Sequence, residues 1–297
     1  MLNDAVLTYH TNTYACGVAR FNQQLAARLG VPCLALARGA ACEAPLISVH
    51  LHEIPTGLYR QIPFTTYDLL LHDWDRSARG IDWVRGARRV FGANPVIQRE
   101  IRAWREDAQA VWCPSTVERR ARGSLSETYQ VLTFGMAHKL QLDLYRHLKR
   151  LLDAMGVWYT VSVSTAVHEG SPWDAIGQVA EAMRSVFEDH VKILGYLADD
   201  GLTDALQGAQ LVAIFFVPAA RANNTTLWAA MEAGRPVITN LDADSPPELV
   251  HGQTVWDLHE TVPTDFFADR VSLSPFRAVQ HYRWDGLVER LKAPVLV

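Results

Sequence analysis

Asn223, Asn224, Thr225 and Thr226 set four short polar side chains at the start of an apolar helical stretch, Thr225 to Ala233, which Gly234, Arg235 and Pro236 then stop. A helix start carries unpaired N–H groups at the positive end of the dipole, so it suits an anion such as a phosphate. The same residue types serve as ordinary N-caps, and the two roles are compatible. Upstream, an apolar run ends in Gly135, with His138 and Lys139 just beyond it, and Arg221 precedes the polar quartet. In the first half, His72 and Asp73 follow the apolar run YDLLL. There the carboxyl end of a parallel strand would place them where α/β ligand sites form, or His72 only caps the strand. Gly17 is a candidate for close backbone approach to a ligand, since it carries no Cβ, or for simple loop geometry. His50 and His52 are two apart on a strand and share a face as metal ligands would, but no third ligand of suitable spacing is apparent. Asp242 and Asp244 form an Asp-x-Asp string in a loop, and no essential metal is expected.

These residues need a scaffold, and the stretch Val191 to Thr239 shows its form. An apolar β-branched run, a loop, a helix-patterned segment and a second apolar run occur twice, which is a βαβα unit of a parallel sheet. The first half opens likewise, with a strand at Ala5 to Tyr9 and a helix over Gly17 to Leu29 carrying Val18, Phe21, Leu25, Ala26 and Leu29 at helical spacing. Further strands are expected at Cys33–Ala37, Leu46–Leu51, Asp68–His72, Arg89–Ala93 and Ala110–Cys113, with helices at Pro95–Arg105 and Val117–Arg122. The second half starts again at Tyr129 to Phe134. A helix is expected over Pro172 to Glu188, capped by Ser171, with Trp173, Ile176, Val179, Met183 and Phe187 on one face. A last amphipathic helix runs from Ala278 to Leu291. The fold class is therefore α/β, with two Rossmann-like halves.

The 297-residue length agrees with two domains, and the formal charge of −4 argues against wholesale nucleic-acid binding. From Arg76 to Arg122, however, eleven arginines face five acids, so that window is +6 and the rest −10. It would suit an acidic partner, or it is a set of solvated helix faces. Cys16, Cys33, Cys42 and Cys113 show no metal spacing, and the N-terminus has no signal-like apolar core, so a reducing cytoplasmic location is expected. The longest apolar stretch, Leu211 to Ala220, is ten residues and too short to span a bilayer; attachment to a membrane surface is left open.

Several segments resemble GT-B glycosyltransferases, particularly the large family 4. LGYLADDGLTDALQGAQLVAIFFVP and LWAAMEAGRPVITN resemble its donor-binding half, TYHTNTYACGVARFNQQLAARL its first loop and helix, and DAQAVWCPSTVERRA a central segment. FGMAHK resembles its lysine-bearing strand end, SPPELV its PELV loop, and HYRWDGLVERL its closing helix. The resemblance implies two Rossmann-like domains whose parallel sheets face each other across a cleft: an acceptor-side domain over residues 1–125, a nucleotide-sugar domain over 126–275, and a C-terminal helix over 276–297 packing back toward the first. Implied too is transfer of a sugar from a UDP-, GDP- or dTDP-sugar to an acceptor hydroxyl, with retention of configuration and no cofactor beyond that donor. The acceptor is open: a glycan, a lipid-linked or other hydroxyl, or an anionic polymer or nucleic acid reached through Arg76 to Arg122.

Lys139 matches the lysine that reaches the diphosphate, and Gly17, Gly135, His138, Arg221, Asn223, Asn224, Thr225, Thr226 and Glu248 complete the donor site. The resemblance places a cleft-facing histidine or aspartate at His72 and Asp73. Two departures stand out. The family's arginine before the lysine falls at Met136, and its Glu-x7-Glu pair falls at Arg221 and Ala229. The missing carboxylates also fit a GT-B-shaped binding or partner subunit without catalysis, and a nucleotide-sugar epimerase shares the fold.

Overall fold

In the computed structural model, residues 3–37, 42–59, 66–117, 128–167, 174–263 and 274–294 are described. The chain divides into two compact units, one of Met1–Thr116 with Tyr282–Val297, the other of Val117–His281.

The first unit alternates strands and helices: β1 (Val6–Thr8), α1 (Gly17–Leu29), β2 (Cys33–Ala35), β3 (Leu46–Val49), α2 (Thr56–Tyr59), β4 (Asp68–Leu71), α3 (Ala78–Gly86), β5 (Arg89–Gly92), α4 (Pro95–Ile101) and β6 (Gln109–Ala110). Its six strands pair in the order β2-β1-β3-β4-β5-β6, all parallel. Every residue of β3, β4 and β5 is buried, as expected of parallel strands covered on both faces. Phe21, Leu25 and Ala26 bury one side of α1, which ends at Gly30 in the left-handed conformation (φ 76°). The turn from β5 into α4 is tighter: a Cβ on Gly92 would stand 2.5 Å from the Gln98 backbone nitrogen, so only glycine fits. Asn94 then caps α4 by accepting a hydrogen bond from the Ile97 N–H at 3.0 Å, with Pro95 in the first position.

At the amino end of β4, fully buried Asp68 accepts hydrogen bonds from Arg88 (2.8 and 2.7 Å), Arg89 (3.0 Å from Nε) and Asn3 (2.9 Å). Burial alone would raise its pKa, but these donors together hold it below the usual carboxylate value.

The second unit contains β7 (Tyr129–Met136), α5 (Leu142–Ala154), β8 (Tyr159–Ala166), α6 (Ala175–Phe187), β9 (Val191–Gly195), α7 (Asp199–Gly208), β10 (Leu211–Ala213), α8 (Thr225–Glu232), β11 (Val237–Thr239), β12 (Trp256–Asp257) and α9 (Pro275–Val279). Its strands run β12-β11-β10-β7-β8-β9, again all parallel. Counted within the unit, that is the 3-2-1-4-5-6 order of the dinucleotide-binding fold, with the reversal between β7 and β10. Val179, Met183 and Phe187 of α6 are buried as their spacing predicts; Ser171, Pro172 and Trp173, assigned to its start, lie outside the described residues.

The single C-terminal helix expected over Ala278 to Leu291 is broken. Extended Arg283 (φ −85°, ψ 156°) separates α9 from a further helix, α10 (Trp284–Lys292). Leu287 and Leu291 of α10 enter the core of the first unit, and Trp284 stacks on Phe21 with ring centroids 5.2 Å apart. The Trp284 indole N–H donates to the Ser115 carbonyl at 2.8 Å, fixing the helix on that unit.

Candidate functional site

In open α/β sheets, ligands bind beyond the carboxyl ends of the strands where the strand order reverses. In the second unit this point lies past β7 and β10. β7 reaches Gly135, whose φ of 151° lies where side-chain-bearing residues are strained, and then enters a short turn over Ala137–Lys139. Lys139 is exposed in that turn; the His138 side chain lies outside the described residues.

From β10 the chain crosses a loop that β11 holds through Asn240. The Asn240 side chain accepts from the Phe216 N–H (2.9 Å) and donates to the carbonyls of Phe216 (2.9 Å) and Pro218 (2.8 Å). Buried Arg221 follows. Its guanidinium grips Asp242 through two 2.7 Å hydrogen bonds and also donates to the Ala220 carbonyl at 2.9 Å. Arg221 in turn is the main reason the Asp242 carboxyl lies below its ordinary pKa. The compensating cation expected at the diphosphate is thus engaged in a bidentate ion pair that clamps two loops together.

The polar quartet also divides. Asn224 does not cap α8; its side chain turns back to accept from the Arg221 N–H at 2.5 Å. The Asn224 side chain makes no capping bond to the first turn, and the Thr225 N–H donates to the Asn223 carbonyl at 3.1 Å; the helix start still carries the positive end of the dipole, which favours an anion. Asn223, Thr225 and Thr226 are half-buried around that start. Ala229, at the place of the family's second glutamate, is buried on α8 and has no polar group to offer. Glu248 is half-buried in a loop that Thr254 fastens by donating to the Glu248 carbonyl at 2.7 Å.

In the first unit the strand order reverses between β1 and β3. A buried polar network joins the strand ends there. The Asn22 amide donates to Thr8 Oγ1 (3.0 Å) and to the Ser48 carbonyl (2.8 Å), and the Ser48 hydroxyl donates to Asn22 Oδ1 at 2.6 Å. Ser48 Oγ is also 3.0 Å from His72 Nε2, while His72 Nδ1 lies 3.6 Å from the Cys113 thiol. Burial, with His50 adding to it, holds the His72 pKa well below the ordinary value, and burial pushes the Cys113 thiol up. A neutral His72 with its proton on Nε2 satisfies both neighbours, donating to Ser48 and accepting from the thiol.

Asp73, the next residue, lies past the end of β4 and has a different set of partners. Its Oδ1 accepts from the Leu51 N–H at 2.5 Å, and Oδ2 lies 3.4 Å from the His52 N–H. The ring nitrogen Nδ1 of His52 contacts the same oxygen directly, and Nδ1 of His50 is 3.6 Å from it. The β3–β4 register, with Val49 opposite Leu71, brings these side chains together although they lie more than twenty positions apart in sequence. Gly17 begins α1 at the same carboxyl edge, and a Cβ there would meet nothing within 4 Å. The fold itself therefore does not demand a glycine.

The basic window assembles only in part. Arg88 and Arg89 are committed to Asp68, Arg105 pairs with Asp107 at 2.5 Å, and Arg76 pairs with Glu100 at 3.1 Å. Arg119, Arg120 and Arg122, and the helix expected over Val117–Arg122, fall almost wholly outside the described residues.

The sequence matches no family model and no curated protein. Solved structures do share its architecture. Anabaena HepE in complex with UDP-glucose superposes with a TM-score of 0.69 at 13% identity, over 97% of this chain and 98% of HepE. The fold is GT-B. A glycosyltransferase from Rickettsia africae gives a TM-score of 0.61 at 8% identity, over 96% of each chain. An alpha-glucosyltransferase in complex with UDP and a 13-mer DNA containing a HMU base gives 0.59 at 11% identity, over 98% of this chain and 95% of that one. At such identities the GT-B likeness is one of architecture, and the chemistry has to be argued from this chain's own residues.

Proposed function

We propose that this GT-B protein is a glycosyltransferase that moves a sugar from a nucleotide-diphosphate sugar, a UDP-sugar first among them, to an acceptor hydroxyl. The observation that carries the reading is the switch point of the second unit, where exposed Lys139 past β7 lies at the same sheet edge as the start of α8 past β10. Breaking the bond between sugar and diphosphate builds negative charge on the leaving phosphate. An ammonium and oriented N–H groups stabilise that charge in the transition state. Neighbours of the same fold that hold UDP-glucose or UDP support the assignment of the donor class.

In this reading Lys139 and the Thr225–Thr226 end of α8 hold the diphosphate, and Asn223 and Glu248 complete the donor contacts. Arg221 acts indirectly, shaping the loop before α8 through Asp242. The first unit presents the acceptor at the edge bearing Gly17 and Asp73, with His72 as a positioning residue beneath it. Hexosyl transfer and retention of configuration belong to the same proposal and rest on the likeness to family 4.

One observation favours a second reading, a binding or partner subunit without turnover: buried Ala229 and the Arg221–Asp242 pair replace the usual carboxylates. Incubating the protein with UDP-glucose, with and without simple glycan acceptors, separates the two. Sugar release or transfer, lost in Lys139→Ala, supports the transferase. UDP binding with no turnover under any acceptor favours the partner subunit.

A further inference from the structure

We infer that His50, His52 and Asp73 form a binding site for a first-row divalent cation of the Zn2+ type. The site lies wholly within the first unit and does not depend on the glycosyltransferase reading. One ligand atom from each side chain lies within 4.8 Å of the other two. Both histidines direct Nδ1 toward the same carboxylate, with His50 Nδ1 at 3.6 Å from Asp73 Oδ2. Tetrahedral ligands around Zn2+ stand about 3.3 Å apart for metal–nitrogen bonds of about 2.0–2.1 Å, so an ion would enter by parting the direct His52–Asp73 contact, with His50 already near that spacing. Two imidazoles and a carboxylate are a donor set suited to such cations, and they leave a further position for water or an oxygen ligand.

The surroundings hold these groups in place. The Leu51 N–H donates to Asp73 Oδ1 at 2.5 Å, the kind of outer contact that orients a ligating carboxylate. The His50 ring sits between His72 and His52, each with its centroid 5.6 Å away, which limits its rotation. Sequence spacing hides the set: β3 ends at Val49, so His50 and His52 lie in the turn beyond it rather than on a strand as expected, and Asp73 follows the end of the next strand, β4.

The test is calorimetric titration of the chelator-treated full-length protein with Zn2+, and of the same protein with Co2+ followed by its visible absorption. The expected result is one ion per chain, with affinity reduced about tenfold or more in each of His52→Ala, His50→Ala and Asp73→Asn. His52 is 62% exposed, so His52→Ala keeps the test sound if the other variants fold poorly. An absence of saturable binding, or binding that His52→Ala leaves unchanged, overturns the proposal. The latter result would mean either that the His52–Asp73 contact is a hydrogen-bonded dyad only or that the ion binds elsewhere. Neither readout uses a nucleotide, so failure here leaves the donor-site reading to be judged by its own assay.

Discussion

Lys139 and Arg221 carry the same charge in neighbouring loops of the second unit, yet the structure gives them different surroundings. Lys139 is exposed at the end of a strand, so its removal should leave the fold intact. A hydrogen bond to a charged group contributes about 1.5–3 kcal/mol, so Lys139→Ala should weaken UDP binding roughly tenfold to a hundredfold with an unchanged Tm. Arg221 is the opposite case. Asp242→Asn leaves a buried guanidinium without its anion, and since the Asp242 side chain is itself 36% exposed the cost should be about 1–3 kcal/mol, read as a lower urea midpoint. Residue type and motif placement made Lys139 a candidate, and the structure places it exposed past β7. They could not show the Arg221 ion pair, because its partner, Asp242, belongs to a loop that only the β10–β11 pairing brings alongside. His72 and Asp73 show the same limit. The end of a strand could be located, but which of two consecutive side chains enters the core depends on Ser48 and Cys113, contributed by other segments.

Strands were the most legible elements, because apolar runs in parallel sheets are long in sequence terms and bounded by turn residues. α5 and β8 lie outside the motif-based expectations even though Tyr145, Leu148 and Leu152 repeat at helical spacing. The break at Arg283 was not legible, since both α9 and α10 continue an apolar periodicity and only packing separates them. Two glycines give a contrast at this scale. Gly92→Ala drives a Cβ into the α4 backbone and should destabilise the first unit by about 1–3 kcal/mol. Gly17→Ala meets open space and should leave thermal stability unchanged while reducing transfer, if the acceptor lies where proposed. The Asp68 cluster adds a dependence on acidity. Its carboxyl is held below the ordinary value, so the stabilisation is complete above the unfolded pKa of about 3.9 and is lost as pH falls toward the folded one. Urea midpoints of the first unit should drop below about pH 4, and Asp68→Asn should lower them at neutral pH while flattening the acid dependence.

For the molecule as a whole, net charge and the +6 window say little about an acceptor once Arg88, Arg89 and Arg105 are seen to work inside the first unit. No helix among the described residues is long and apolar enough to cross a membrane. What the whole chain expresses most clearly is the GT-B pair of parallel sheets, legible from alternating apolar runs and helix patterns well before any site residue could be placed. We propose that the switch point of the second unit holds a nucleotide diphosphate. Thermal denaturation across a concentration series of UDP and UDP-glucose tests it directly, because a ligand that binds only the folded state raises stability by about 2.7 kcal/mol at a hundred times its Kd. The expected result is a saturable rise in Tm that is reduced in Lys139→Ala. No shift with UDP, UDP-glucose, or their GDP and dTDP counterparts would contradict it.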